Sequence, residues 1–250
     1  MRILVGHTGF VGKNLLDQTD FDFLYNSNNI EDIRNAPSNC DIYLSCLPAE
    51  KWKVNKDPLT DYAKIISLID TLKTNKYRNV NLISTIDVYC NSPLGSDETF
   101  IPSFTNQSYG SNRFAFEEKV KEQLSYERLK IFRLPALFGK HLKKNIIFDV
   151  LNQNNIDLIN KNSSFQWYDI SDLSKDIAKY NNSERVVFNL FPEPIKTPAL
   201  LRSLYANHIG REQAPITYDY KTTLSETGYL YSKLESLIKI QRFVDDFWSK

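Results

Sequence analysis

The chain has 250 residues, with 31 Lys and Arg against 30 Asp and Glu and a formal net charge of +1. That balance excludes a basic nucleic-acid surface and a polybasic membrane binder, and no apolar run approaches the ~20 residues of a bilayer-spanning helix. The apolar share of 42% and charged share of 24% are ordinary for a soluble globular protein, and the length suits one large domain or a domain with a small lobe.

No signal peptide precedes the first strand, so a cytoplasmic location is expected. Cys40, Cys46 and Cys90 form an odd set without a C-x-x-C pair, which reads as three reduced, mostly buried thiols. His7, His141 and His208 are scattered, so no metal site is expected.

The first element is a short apolar run, Ile3-Leu4-Val5. Gly6, Gly9 and Gly12 follow it, and then a helical pattern with Phe10, Val11, Leu15 and Leu16 as the apolar positions. A buried strand running through a glycine turn into a helix is the arrangement that binds a dinucleotide pyrophosphate. The first glycine permits the tight turn, the second lets backbone approach phosphate, and the third lets the helix pack close to the sheet. The spacing is G-x-x-G-x-x-G instead of the commoner G-x-G-x-x-G, and a β–α turn without a ligand is the alternative.

Phe21–Tyr25 reads as the second strand. In a dinucleotide fold the residue ending it faces the adenosine ribose, where an acidic residue favours NAD. Asn26-Ser27-Asn28 stands there instead. No carboxylate repels a 2′-phosphate and no arginine follows at once, with Lys13 and Arg34 the candidate cations. The reading leans to NADP over NAD; the alternative is plain turn residues.

A brief element at Ile30–Ile33 and a turn cluster lead to a buried strand, Asp41–Leu47, closed by Pro48-Ala49. Asp57–Lys73 has helical periodicity through Tyr62, Ile65, Ile66, Ile69 and Leu72. Val80–Ile86 is a strand that leaves Ser84 and Thr85 at its C-terminal end, where open α/β sheets place their chemistry. After a polar loop from Cys90 to Ser108, Tyr109 opens a helix whose apolar positions are Phe114, Phe116, Val120 and Leu124. Lys130–Pro135 is the next strand, ending at Leu137–Gly139.

This alternation predicts an α/β fold, a Rossmann-like doubly wound parallel sheet in residues 1–140. Residues 141–250 are richer in Asn and Lys, with a short strand at Val186–Leu190 and two helices near the end. They read as a small C-terminal substrate lobe plus return elements, and residues 1–250 as a single unit.

Several stretches together resemble the extended short-chain dehydrogenase/reductase superfamily, its NAD(P)-dependent epimerase/dehydratase group. They are the glycine turn, Ile83–Tyr89, Tyr109–Arg113, Arg133–Gly139 and Phe165–Asp172, and the resemblance spans nearly the whole chain. Counting back from Tyr89, it places Thr85 on the family's catalytic hydroxyl, with Ser84 its neighbour. Tyr109, 24 residues after Thr85, falls on the catalytic tyrosine.

The resemblance implies a cofactor held by Gly6, His7, Thr8, Gly9, Phe10, Val11, Gly12, Asn26, Ser27, Cys46, Leu47, Pro48, Arg113, Leu134 and Leu137. It implies catalysis by Thr85, Tyr109 and Arg113 with Ser84; candidate substrate contacts are Asp87, Lys143, Lys144, Asn145 and Gln166, with a solvated basic loop the alternative for the lysines. The family holds nucleotide-diphosphate sugars with an arginine whose place falls here at Phe165 or Gln166, neither of them cationic. Homodimerisation through the helices flanking the cofactor domain is a further expectation.

In that family a tyrosine is the general acid/base, and a cation four residues on shares its helix face and lowers its pKa. Here Tyr-x-x-x-Lys is replaced by Tyr109-x-x-x-Arg113. Arginine keeps the charge, so it is expected to depress the phenol, but its planar fork does not place one compact ammonium between ribose and phenol. Tyr126–Lys130 and Tyr229–Lys233 carry the literal spacing and read as chance matches.

Two functions follow from the resemblance. One is an NAD(P)-dependent reductase or epimerase acting on a sugar or nucleotide-sugar-like alcohol or ketone, in surface-polysaccharide biosynthesis. The other is a catalytically weak or silent NAD(P)-binding sensor or scaffold. Both involve a small-molecule partner and neither involves nucleic acid or membrane.

Overall fold

The structure, a computed structural model, describes residues 1–90, 92–103, 108–206 and 209–249; His208 lies outside them. The chain divides into two compact units. The first comprises Met1–Pro93, Thr99–Arg133 and Leu173–Phe188, and the second Leu94–Glu98, Leu134–Asp172 and Asn189–Lys250. Leu173–Phe188, late in the chain, belongs to the first unit.

Along the chain run β1 (Arg2–Val5), α1 (Phe10–Gln18), β2 (Phe23–Tyr25), β3 (Cys40–Leu44), α2 (Lys51–Lys56), α3 (Pro58–Leu72), β4 (Lys76–Thr85), α4 (Ser108–Gln123) and β5 (Ser125–Leu134). Then come β6 (Ala136–Phe138), α5 (Ile146–Leu151), β7 (Ser164–Phe165), β8 (Trp167–Asp169), α6 (Leu173–Tyr180) and β9 (Val187–Asn189). The chain closes with β10 (Ile195–Lys196), α7 (Thr197–Ser203) and α8 (Lys233–Trp248).

The first unit is a Rossmann-like parallel sheet of six strands in the order β2-β1-β3-β4-β5-β9. β1 pairs in parallel with β2 on one side and β3 on the other, and β3 pairs in parallel with β4. Sheet growth reverses at β1, and the crevice at such a switch point is where open α/β sheets bind ligands. Between β2 and β3 lies only a short 3-10 turn, Ile30–Asn35, too brief to carry a helix and another strand. The strands bury both faces, so they read as apolar runs: Ile3, Val5, Ile42, Leu44, Val80, Leu82 and Ile131 are all 2% exposed or less.

α3 matches its expected span closely. Asp57 caps it by accepting from the Thr60 N–H, Pro58 occupies the first turn, and Ile65, Ile69 and Leu72 face the core. β4 and β5 begin earlier than expected. Lys76 and Arg78 are exposed while Tyr77 and Asn79 are buried, a half-buried alternation that precedes the apolar run of β4. In β5, Lys130 sits mid-strand with its ammonium donating to the carbonyls of Ser183 and Arg185. The four apolar positions expected on α4 are buried, but so are Asn112, Arg113 and Glu117. That helix is enclosed on nearly all sides over its first half.

The second unit pairs β10 with β7 antiparallel and β6 with β8 parallel. Its core gathers Phe138, Ile147, Leu151, Trp167, Ile195, Leu200, Ile240 and Val244. A capping box between Ser232 and Glu235 starts α8. The three cysteines are free thiols. Among the described residues no helix is long and apolar enough to cross a membrane, and no cluster of His, Cys, Asp and Glu could hold a metal.

Candidate active site

The glycine turn lies at the C-terminal end of β1. Gly6 has φ +91°, and a Cβ there would sit 2.3 Å from the Ser45 carbonyl oxygen. A Cβ on Gly12 would sit 2.2 Å from the Gly6 carbonyl oxygen, so α1 rests directly on the turn. Gly9 is different: it is exposed, has an ordinary extended φ of −75°, and its Cβ would meet only the Gly6 oxygen at 3.4 Å. It starts α1 without a side-chain cap.

Neutral groups close the end of β2. His7 Nδ1 lies 3.0 Å from the Tyr25 carbonyl, which assigns the proton to that nitrogen. Nε2 then accepts from Asn26 Nδ2 at 3.4 Å. Asn26 Oδ1 accepts from the Asn28 N–H at 2.8 Å, an Asx turn, and Ser27 is exposed. Arg34 is not available here: it pairs with Glu31 at 2.8 Å and reaches Thr71.

β4 ends at Thr85, and the 3-10 turn Ile86–Tyr89 follows. Thr85 Oγ1 accepts from the Asp87 N–H at 3.2 Å and lies 3.4 Å from Asp87 Oδ2. Asp87 Oδ1 pairs with Lys51 Nζ at 2.7 Å. A Cβ on Gly110 would sit 2.1 Å from the Asp87 carbonyl oxygen, so the start of α4 is seated on this turn. Tyr109, buried beside it, donates its N–H to Asn55 Oδ1 on α2 at 3.0 Å.

Arg113 stacks on the ring of Tyr109, its Cζ 4.5 Å from the centroid. Both of its terminal nitrogens are directed. Nη1 donates to Asp61 Oδ2 at 2.8 Å, and Nη2 donates to Asp61 Oδ1 at 3.2 Å and to the Pro48 carbonyl at 2.7 Å. Asn112 adds a bond to Asp61 Oδ2 at 2.9 Å.

Arg113 does depress the phenol, as expected, but burial outweighs it. Burial pushes the Tyr109 phenol above its ordinary value; Arg113 pulls it down by charge and hydrogen bonding, while Asp87 and Asp61 push it up. The Cys46 thiol, in the loop after β3, is pushed up to about 12 by burial and stays neutral.

The expectation for Ser84 is corrected. Its Oγ donates to Glu117 Oε1 at 2.5 Å, and Glu117 pairs with Arg133, whose Nη1 bonds the Tyr89 hydroxyl at 2.6 Å. Successive strand residues point to opposite faces, so Ser84 enters this buried network while Thr85 faces the turn.

In the second unit, Lys143 and Lys144 are exposed. Asn145, at φ +133°, caps α5 by accepting from the Phe148 N–H and donates to the Leu137 carbonyl at 2.8 Å. Gln166 is 1% exposed, donates to the carbonyls of Pro192 and Tyr220, and accepts from the Tyr220 N–H. Both amides are engaged in architecture, which removes the grounds for assigning them to substrate. Leu134 is buried at the end of β5, and Leu137 lies opposite Tyr168 in the β6–β8 pair.

The two literal Tyr-x-x-x-Lys matches are structural. The Tyr126 hydroxyl donates to the Lys121 carbonyl at 3.0 Å, and the Tyr229 hydroxyl donates to Asp219 at 2.6 Å.

Within the first unit the structure brings together Thr85, Asp87, Tyr109, Arg113 and the Pro48 carbonyl. Sequence reasoning missed Lys51, Asn55 and Asp61. For Asp61 a signal existed: it falls on the same helical stripe as Ile65, Ile69 and Leu72, and a carboxylate on an apolar stripe demands a buried partner.

No family model matches the chain, and no curated protein matches it. Solved structures do. TunA, an NAD-dependent NDP-hexosamine 5,6-dehydratase involved in tunicamycin biosynthesis, is 15% identical with a TM-score of 0.76, over 99% of this chain and 97% of that one. RMD from Pseudomonas aeruginosa, complexed with NADPH, is 16% identical with a TM-score of 0.74, over 100% and 99%. The dTDP-4-dehydrorhamnose reductase from Yersinia enterocolitica is 13% identical with a TM-score of 0.74, over 97% and 99%. At such identities the likeness is one of fold, and the neighbours are of the extended short-chain dehydrogenase/reductase type.

Proposed function

We propose that this chain, which shares its fold with NAD(P)-dependent epimerases, reductases and dehydratases of sugar nucleotides, is itself an NAD(P)-dependent oxidoreductase. Its substrate is an alcohol or ketone of a sugar or sugar nucleotide, and its setting is the synthesis of a surface polysaccharide in the cytoplasm. A homodimer goes with this reading by likeness alone. One observation carries the reading: an open glycine turn and the Thr85–Asp87–Tyr109–Arg113 group occur in the same unit, at the C-terminal ends of strands of one parallel sheet.

The residues present fit a nicotinamide dinucleotide. Gly6 and Gly12 are required by the turn itself, whereas Gly9 is needed by neither sterics nor φ, and close approach of a phosphate accounts for it. His7, Thr8, Phe10 and Val11 flank that approach, Asn26 and Ser27 face the adenosine ribose, and Cys46, Leu47 and Pro48 supply apolar walls. When bound, a nicotinamide gives or takes a hydride. The Thr85 hydroxyl bonds the substrate oxygen. Tyr109 gives its phenolic proton to that oxygen as the carbonyl becomes a hydroxyl, and the phenolate is then reprotonated from solvent. A neutral phenol is the form that donates, and the absence of an adenosine-ribose carboxylate leans the reading to a reductase over an epimerase.

The absence of a carboxylate at Asn26-Ser27 favours NADP. The neighbours span both cofactors, since RMD was solved with NADPH and TunA is NAD-dependent. A second reading, a silent NAD(P)-binding protein, is favoured by the engagement of Arg113 with Asp61 and Pro48. Titration with NADPH, NADH, NADP and NAD, followed by nicotinamide fluorescence or heat, tests both. Preference for the phosphorylated pair supports the NADP reading and opens a screen of keto-sugars. Preference for the unphosphorylated pair reverses the cofactor assignment, and binding of none sinks enzyme and sensor alike.

A further inference from the structure

Asp61 and Arg113 form a pair that is buried on both sides, with side chains 7% and 5% exposed. Both carboxylate oxygens are used, by two nitrogens of the Arg113 fork and by the Asn112 amide. The same fork also bonds the Pro48 carbonyl and sits over the Tyr109 ring. A compact ammonium on a flexible stem could not satisfy these partners together, whereas a planar guanidinium does so by shape. The departure from Tyr-x-x-x-Lys on α4 and the acidic residue on the apolar stripe of α3 are thus two halves of one feature.

We propose that Asp61 is a positioning residue for the acid–base tyrosine: by clamping and neutralising Arg113, it adds to burial in holding Tyr109 in its protonated, proton-donating form. The inference rests on the reading of Tyr109 as that acid–base group. The charged groups facing Tyr109 are Arg113 on its own helix, Asp61 on α3, and Asp87 on the turn after β4, which is paired with Lys51 of α2. Arg113 favours the phenolate, and Asp61 and Asp87 oppose it. Replacing Arg113 by lysine alone therefore does not restore the family's arrangement, because Asp61 captures the ammonium.

The test follows the near-ultraviolet absorbance of phenolate as pH is raised. Each protein is measured with and without Tyr109→Phe, so that one phenol is separated from the rest of the 14 tyrosines. In Asp61→Asn, with folding confirmed by circular dichroism, Tyr109 is expected to ionise at lower pH than in the unaltered protein. Asp61→Glu keeps the charge and is expected to return the midpoint towards that of the unaltered protein. An unchanged midpoint in a folded Asp61→Asn protein overturns the proposal and leaves an ion pair of stability alone. If Asp61→Asn does not fold, Asp61→Asn with Arg113→Lys is compared with Arg113→Lys by itself. A lower midpoint in the double variant supports the proposal, and equal midpoints overturn it. Neither cofactor nor substrate enters the measurement, so its outcome is independent of the nicotinamide titration.

Discussion

In the first unit six strands share one sheet; in the second, among the described residues, the strands are two or three residues long and form two-stranded pairs. The difference shows in what the buried polar side chains do. In the first unit charges are buried as pairs across elements, Asp61 with Arg113 and Glu117 with Arg133. In the second, amides and carboxylates replace the missing ladder by bonding backbone. Gln166 joins Pro192 to Tyr220, and Glu98 accepts from the N–H groups of Asn189 and Thr223. A regular sheet leaves side chains free for chemistry, whereas short strands recruit them for structure.

Five substitutions would break or sharpen this contrast. The largest loss of stability is expected for Glu117→Gln, which strands the Arg133 charge in a site 2% exposed; thermal or urea unfolding should show about 3–5 kcal/mol. Gln166→Ala leaves buried groups of Pro192 and Tyr220 without partners, and about 3 kcal/mol is expected in the same assay. A loss below about 0.5 kcal/mol would mean that the second unit does not depend on its amide clamp.

The glycine turn gives an intermediate case. Gly12→Ala forces a Cβ onto the Gly6 carbonyl and should cost about 1–3 kcal/mol. Gly9→Ala should stay within about 0.5 kcal/mol of the unaltered protein yet lose nicotinamide affinity. If Gly9→Ala binds as before, the turn is not a phosphate site. A small effect, on stability alone, is expected for Lys51→Met. Lys51 is partly exposed and its pair with Asp87 resembles a surface ion pair, so less than about 1 kcal/mol should be lost in unfolding.

Much of the first unit was legible because its signals are local. Asp57 and Pro58 mark the start of α3, and the apolar runs mark β1, β3 and the core of β4. α2 was missed because a six-residue helix is too short to show a period. Lys51, Asn55 and part of the wall around Tyr109 were missed with it. Ser84 was misread because the two hydroxyls are adjacent in sequence but opposed across the strand. Asn145 and Gln166 were misread because an amide's partners, here backbone groups up to 54 residues away, leave no mark in local composition.

By itself the sequence determined the alternation of strands and helices, the glycine turn that only a residue without a side chain can make, and the register that sets Thr85 before Tyr109. Tertiary structure decided which charges are buried together. Arg113 and Asp61 lie 52 residues apart on different helices, and Arg133 reaches Glu117 and Tyr89 only because β5, α4 and the turn after β4 pack around one point. A charge in the sequence has only its sign; its solvation and its partner, and with them the state of Tyr109, exist once the chain has closed around it.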